Sequence, residues 1–337
     1  MAPKNDIPGC RDLGLLLVDG FALMSYASIV EPFRAANDLA KVALYRWTHI
    51  STDGRKVSAS NGASVLADRA VGDPLKCDTL FVFAGGDPST FNDRRTFSWL
   101  RRLARSGVRI AGVSGGQFLL ARAGLLDGYR STIHWSHRSQ FADEFPTLAI
   151  EPSLYVIDRM RLTCAGGTAG LDLAIELIER EHGHELAAGV SEWFIRTDPR
   201  PADKSQRLTL RERFGINDDR VLKVLAEMEA RIERPASAER LAKLGGLSLR
   251  QLQRVFLAEV GETVNRCYLR VRLNKAAELL RTTGMPVVEI SVACGFQSIS
   301  HFARSFKNQF GYAPRLERKR RLARPKSRSR TLLRSTL

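Results

Sequence analysis

The chain has 337 residues, 44% of them hydrophobic and 26% charged, with a formal net charge of +16. That length predicts two domains, and the composition excludes a disordered or fibrous chain. No apolar run approaches the roughly 18 residues of a membrane span, and the run at 13–18 is too short for a signal-peptide core, so the expectation is a cytoplasmic protein with no membrane partner.

The charge is unevenly divided. Residues 1–210 carry 25 Lys/Arg against 24 Asp/Glu, a net of +1, whereas residues 211–337 carry 27 against 12, a net of +15. A neutral half joined to a strongly basic half is the footprint of a nucleic-acid-binding module attached to a partner domain. The five cysteines are scattered, with no C-x-x-C pair and no histidine at metal spacing, which predicts free thiols and neither a metal site nor a cofactor.

In chain order, apolar strand patterns at 13–18, 46–52, 79–85, 108–114 and 161–167 alternate with helical patterns at 25–40, 94–107, 115–126 and 169–183. Continuous apolar strands separated by helices predict a largely parallel sheet covered on both faces. This is an open α/β sandwich of flavodoxin or Rossmann type, with ligand sites at the carboxyl ends of the strands.

The fourth strand runs into Gly112-Val113-Ser114-Gly115-Gly116, a G-x-S-x-G elbow between strand and helix. Two uses are open to it. A serine nucleophile needs a base and an acid, for which His134, His137, Asp172, His182 and His184 are the candidates. Alternatively, the N–H groups of Gly115 and Gly116 at a helix N-terminus hold a ligand carboxylate beside Ser114, with Gly85 and Gly86 offering further N–H groups from the facing loop. Trp135, or else Trp193, supplies a face for a quaternary ammonium, and His134 is a further contact.

Near residue 196 the apolar periodicity stops, which predicts a linker over 196–217. Beyond it only helical patterns appear. Within 238–260 two short helices flank Gly245-Gly246, with Ala242 and Leu244 inward on the first and Leu249, Leu252 and Phe256 on the second. Ser248 stands at the N-cap, and Arg250, Gln253 and Arg254 share a polar face. The pattern recurs at 287–314, with a turn at Cys294-Gly295, with Ile299, Phe302 and Phe306 inward and Ser300, His301 and Arg304 outward. Each is a helix-turn-helix whose second helix suits a major groove. The helix between them, about 19 residues and so about 28 Å, nearly matches the spacing of successive grooves. From Arg315 the chain carries ten basic residues and one acid, which predicts a disordered basic tail over 315–337.

The segments LAKLGGLSLRQLQRVF, GETVNRCYLRVRLNKAAELL and VVEISVACGFQSISHFARSFKNQFGYAP resemble the AraC-type DNA-binding domain. That resemblance assigns residues 218–314 to it and implies base contacts from Arg250, Gln253, Arg254, Ser300 and Arg304 on double-stranded DNA. The segments DGFALMSYASIVEPFRAAN, DTLFVFAGGD, RIAGVSGGQFLLARAGLLDGYRSTIHW and RLTCAGGTAGLDLAIELIEREHG resemble the class I glutamine amidotransferase-like superfamily, in its PfpI-type branch, over residues 1–195. Superfamily enzymes carry cysteine where this chain has Ser114, and the resemblance places Glu31 as an acid over the elbow. Together the two imply a transcription regulator: an activator of catabolic genes, dimeric, acting with RNA polymerase and responding to an amino acid or quaternary amine. A serine hydrolase or amidase with an accessory DNA-binding domain is the alternative.

Overall fold

Along the strand Arg11–Leu17, Leu13, Leu15 and Leu17 enter one apolar cluster and Leu16 enters another. A run that is apolar at every position is buried on both faces, as a strand between two helical layers must be. The computed structural model describes residues 9–322 and places that strand inside a seven-stranded sheet.

The strands in chain order are β1 Arg11–Leu17, β2 Tyr45–Ser51, β3 Val57–Ser58, β4 Ser64–Val65, β5 Arg69–Ala70, β6 Thr79–Ala84, β7 Arg109–Ser114, β8 Arg130–Thr132, β9 Ala149–Glu151, β10 Tyr155–Asp158 and β11 Arg161–Cys164. The main sheet has the order β10-β11-β7-β6-β1-β2-β5, parallel except where β10 pairs with β11. Helices α1 (Leu23–Ala40), α5 (Ala169–His182) and α6 (His184–Trp193) cover one face. The other is covered by α2 (Arg94–Arg105), α3 (Gly116–Arg122) and α4 (Arg138–Glu144). From β1 the chain winds outward to β2 and β5, and from β6 it winds the opposite way to β7 and β11. The crevice at such a reversal, beyond the carboxyl ends of the strands, is where this architecture binds ligands.

The chain divides into two units between Gln206 and Arg207. The expected linker is therefore not a free segment. Residues 196–206 lie on the first unit, where Arg196 and Arg200 both bind the buried Asp172 and Leu154 donates its N–H to Ala202 O at 2.8 Å. Beyond Gln206, Thr209 and Glu212 cap each other's backbone and start α7 (Leu210–Phe214). The charged residues that looked like linker composition are matched by partners, which is why the segment is ordered.

The second unit continues with α8 (Asp219–Ala230), α9 (Ala238–Leu244), α10 (Leu249–Val260), α11 (Val264–Thr282), α12 (Val287–Ala293), α13 (Ile299–Phe310) and α14 (Pro314–Leu322). Its two cores share one helix: α11 gives Val264, Cys267 and Tyr268 to the first, and Leu273, Ala276, Ala277 and Leu280 to the second. Both turns use a glycine in the left-handed region, Gly246 at φ +67° and Gly295 at φ +74°.

Three expectations change here. Leu244 is 45% exposed, because the buried stripe of α9 is Leu241 with Ala242. Ile299 is 42% exposed, because α13 begins on it and the inward stripe starts only at Phe302. The tail is helical as far as Leu322: Glu317 is buried, bonded by Arg281 at 2.8 Å and by the Tyr312 hydroxyl at 2.5 Å, and Arg318 donates to Met285 O. One acid among many bases thus anchors α14, and the rest of the expected tail, 323–337, lies outside the described residues.

Candidate functional site

Ser114 ends β7 at φ +63°, a region that a residue with a Cβ occupies at a cost of about 1–3 kcal/mol unless its surroundings impose it. Here they do. The Gly115 N–H donates to Ala84 O at 3.0 Å, and Gly116 lies so close under β6 that a Cβ there would stand 2.0 Å from the Val82 carbonyl oxygen. The G-x-S-x-G run is therefore a true elbow. One donor expected for a ligand is lost, since the Gly115 N–H already has its acceptor. Gly116, the first residue of α3, is the glycine whose N–H the helix itself does not use.

Opposite the elbow stands Gly166 at φ +90°, where a Cβ would lie 2.8 Å from both Ser114 Cβ and Ser25 Oγ. Ser25 Oγ accepts the Gly167 N–H at 2.8 Å, and Ser28 Oγ donates to Gly167 O at 2.5 Å. Ser25 and Ser28 are thus the side chains that α1 sends to this rim. Glu31, expected there, instead runs along the helix to accept from Arg34 Nε at 2.8 Å, and Arg34 also binds Asp38. Its position on the half-exposed flank of α1 lets an arginine one turn on neutralise it. Gly85 is glycine for packing, since a Cβ would meet Gly20 O at 2.6 Å, while Gly86 at φ +66° is exposed.

Buried Gln117 organises the floor of the site, and sequence reasoning passed over it inside an apolar run. Its Nε2 donates to Thr132 O at 2.9 Å and Cys164 O at 2.8 Å, tying the ends of β8 and β11 to the helix that follows the elbow. Past β8, His134 accepts the Ser136 N–H at Nδ1 (3.3 Å). The same Nδ1 lies 2.8 Å from the Ser136 hydroxyl, so Ser136 fixes the ring, and burial lowers the pKa of His134, which favours the neutral imidazole. Trp135 is 42% exposed with its ring 5.5 Å from that of His134, whereas the face of Trp193 already has the Arg34 guanidinium at 6.0 Å.

Among the described residues no hydrogen bond joins Ser114 to a histidine or a carboxylate, and the candidates have other partners. Asp172 is held by two arginines, His182 packs its ring edge-on against Tyr45 and His184 is exposed beside Glu179. His137 packs on Phe118, and its Nδ1 is buried with no hydrogen-bond partner among the described residues. Burial pushes it from 6.5 down to about 4, with His134 adding a smaller push in the same direction. The unfolded chain then binds this proton before the folded one does. The stability it contributes is complete above pH 6.5 and is lost as pH falls from there toward 4. Thermal melts should show the first unit losing up to about 3 kcal/mol over that window. His137→Leu should flatten the loss; an unchanged slope would refute the assignment.

In the second unit, Ser248 and Gln251 form a capping box that starts α10, and Ser298 caps α13. With Leu252 and Phe256, or Phe302 and Phe306, buried beneath, each helix presents Arg250, Gln253 and Arg254, or Ser300, His301 and Arg304, to solvent. The His301 ring rests edge-on against Phe296. Several arginines elsewhere in this unit are paired: Arg211 with Asp219, Arg213 with Glu229, Arg270 with Glu262, Arg281 with Glu317. Arg250, Arg254 and Arg304 have no ion pair among the described residues. Their charge faces outward, as phosphate or guanine recognition requires.

Comparison with known proteins agrees with both halves. The DJ-1/PfpI family matches residues 13–180, and a helix-turn-helix domain matches residues 241–320. The chain is 42% identical over 308 residues to the HTH-type transcriptional regulator CdhR of Pseudomonas aeruginosa, covering 91% of each chain. It is 40% identical over 321 residues to the HTH-type transcriptional regulator GlxA of Rhizobium meliloti, covering 95% of this chain and 99% of that one. Among solved structures, an AraC family transcriptional regulator from Pseudomonas putida superposes with a TM-score of 0.51 at 27% identity, over 55% of this chain and 99% of that one. Among the described residues no helix is long and apolar enough to cross a membrane.

Proposed function

Because the chain belongs to the AraC-type helix-turn-helix transcriptional regulators that carry a DJ-1/PfpI domain, we propose that its first unit is a sensor and not an enzyme. The elbow binds a small zwitterionic or amine metabolite. The second unit then binds operator DNA as part of a cytoplasmic homodimer that works with RNA polymerase to activate catabolic genes. Residues Arg250, Gln253, Arg254, Ser300, His301 and Arg304 read or position the DNA.

The observation that carries the sensor reading is a strained elbow kept intact, with Gly116 packed under β6 and Gly166 packed against Ser114. Strain of this kind persists where it has a use. Ser114 has no hydrogen bond to a histidine or a carboxylate among the described residues, and the use that fits is binding. Gly116 N–H and the Ser114 hydroxyl suit a carboxylate, with His134 as a further contact, and the exposed Trp135 suits a cationic end. Ligand binding acts on DNA only by favouring one state of the protein over another.

Calorimetry of the full chain against amino acids, betaine and carnitine tests this. The expected result is a heat that saturates at one site for one of these compounds. A heat flow that persists until the compound is consumed would overturn the sensor in favour of a serine hydrolase.

A further inference from the structure

We infer that residues 196–206 are the output strap of the sensor, docked on the two loops that border the elbow and released when the elbow is occupied. The inference rests on the sensor reading above. At one end of the strap, Arg196 and Arg200 grip the buried Asp172, and Arg200 Nη2 also donates to Thr168 Oγ1 at 2.9 Å. Thr168 follows Gly166 and Gly167, which face Ser114 and Ser25. At the other end, Gln206 Oε1 accepts the Trp135 N–H at 2.8 Å. Its Nε2 lies 2.7 Å from Ser153 O and 3.0 Å from both Ile133 O and Thr132 Oγ1. Both loops flanking the elbow, 166–168 and 132–135, are therefore held by side chains of one segment.

The strap depends on these polar contacts more than on apolar burial. A cavity of about 610 Å³ opens beside it, walled by Arg130, Glu176, Arg180 and Arg200, so the segment has room to move. A group on Ser114 crowds Gly166, which already stands so close that a Cβ there would lie 2.8 Å from Ser114 Cβ, and so displaces the 166–168 loop that Arg200 holds through Thr168 Oγ1. Gln206 is also the last residue of the first unit. Releasing residues 196–206 would add up to about 36 Å of reach to the connection leading to the DNA-binding helices.

The strap contains Lys204 and is followed by Arg207, so trypsin reads its docking directly. Ser114→Cys in the full chain, carboxymethylated with iodoacetate, places a carboxylate at the elbow without requiring the natural ligand. Cleavage after Lys204 and Arg207 should rise about fivefold over the unalkylated variant, the change that losing one net hydrogen bond produces. Wild type treated with iodoacetate, which alkylates only native thiols, should show no rise. Ser114→Cys with Gln206→Ala should be cut fast before and after alkylation. Unchanged cleavage, with the adduct confirmed by mass, overturns the strap and leaves the sensor standing. If iodoacetate cannot reach the thiol that Ser114→Cys introduces, the elbow is closed to ligands and both readings fall.

Discussion

Arg254→Ala should weaken binding to a duplex that the wild-type chain selects from a random pool by about 5- to 150-fold, equivalent to about 1–3 kcal/mol. Binding to random-sequence DNA should fall much less. The side chain is exposed on the outer face of α10, opposite Leu252 and Phe256, and holds no ion pair, so its removal leaves the fold intact. The same change at Arg304 probes the second unit. The two losses should add, since the residues lie on separate helices with separate cores. Equal losses on specific and random DNA, accompanied by a shallower salt dependence, would make either arginine a phosphate contact instead.

Gly116→Ala should unfold the first unit or destabilise it by more than about 3 kcal/mol, because the added methyl would meet a backbone carbonyl at 2.0 Å and the sheet cannot yield. The opposite change at the neighbouring strained residue should help: Ser114→Gly relieves the φ +63° strain and should stabilise the unit by about 1 kcal/mol. Urea melts followed by tryptophan emission report on the first unit selectively, since all four tryptophans, at 47, 99, 135 and 193, precede Gln206. A tolerated alanine would mean that the elbow is not built as described.

The architecture was legible in the sequence, because each element announces itself locally. A strand buried on both faces must be apolar throughout, and a helix on a core must repeat its apolar residues every three or four positions. The five predicted strands, the parallel sheet and the two helix-turn-helix units follow from that alone. So does the exposure of Arg250, Gln253, Arg254, Ser300, His301 and Arg304, since they lie opposite the stripes at Leu252, Phe256, Phe302 and Phe306. Short pieces such as β3, β4, β8 and β9, at two or three residues, carry too little pattern to be read.

The sensing site was only half legible. The elbow has a local signature, but which neighbours reach it depends on segments brought together from far along the chain. Ser25 and Ser28 meet a loop about 140 residues away, and Gln206 crosses 71 residues to Trp135. Glu31, by contrast, looked suitable in the sequence and was claimed by a neighbour on its own helix. Residues 196–206 and 315–322 depart from the expected linker and tail for the same reason, since charge-rich composition reads as solvated until Asp172 and Glu317 supply partners elsewhere in the fold. Local periodicity fixes which face of an element is buried. Only the packed structure decides which polar group finds which, because that is a matter of distance in space and leaves no period in the chain.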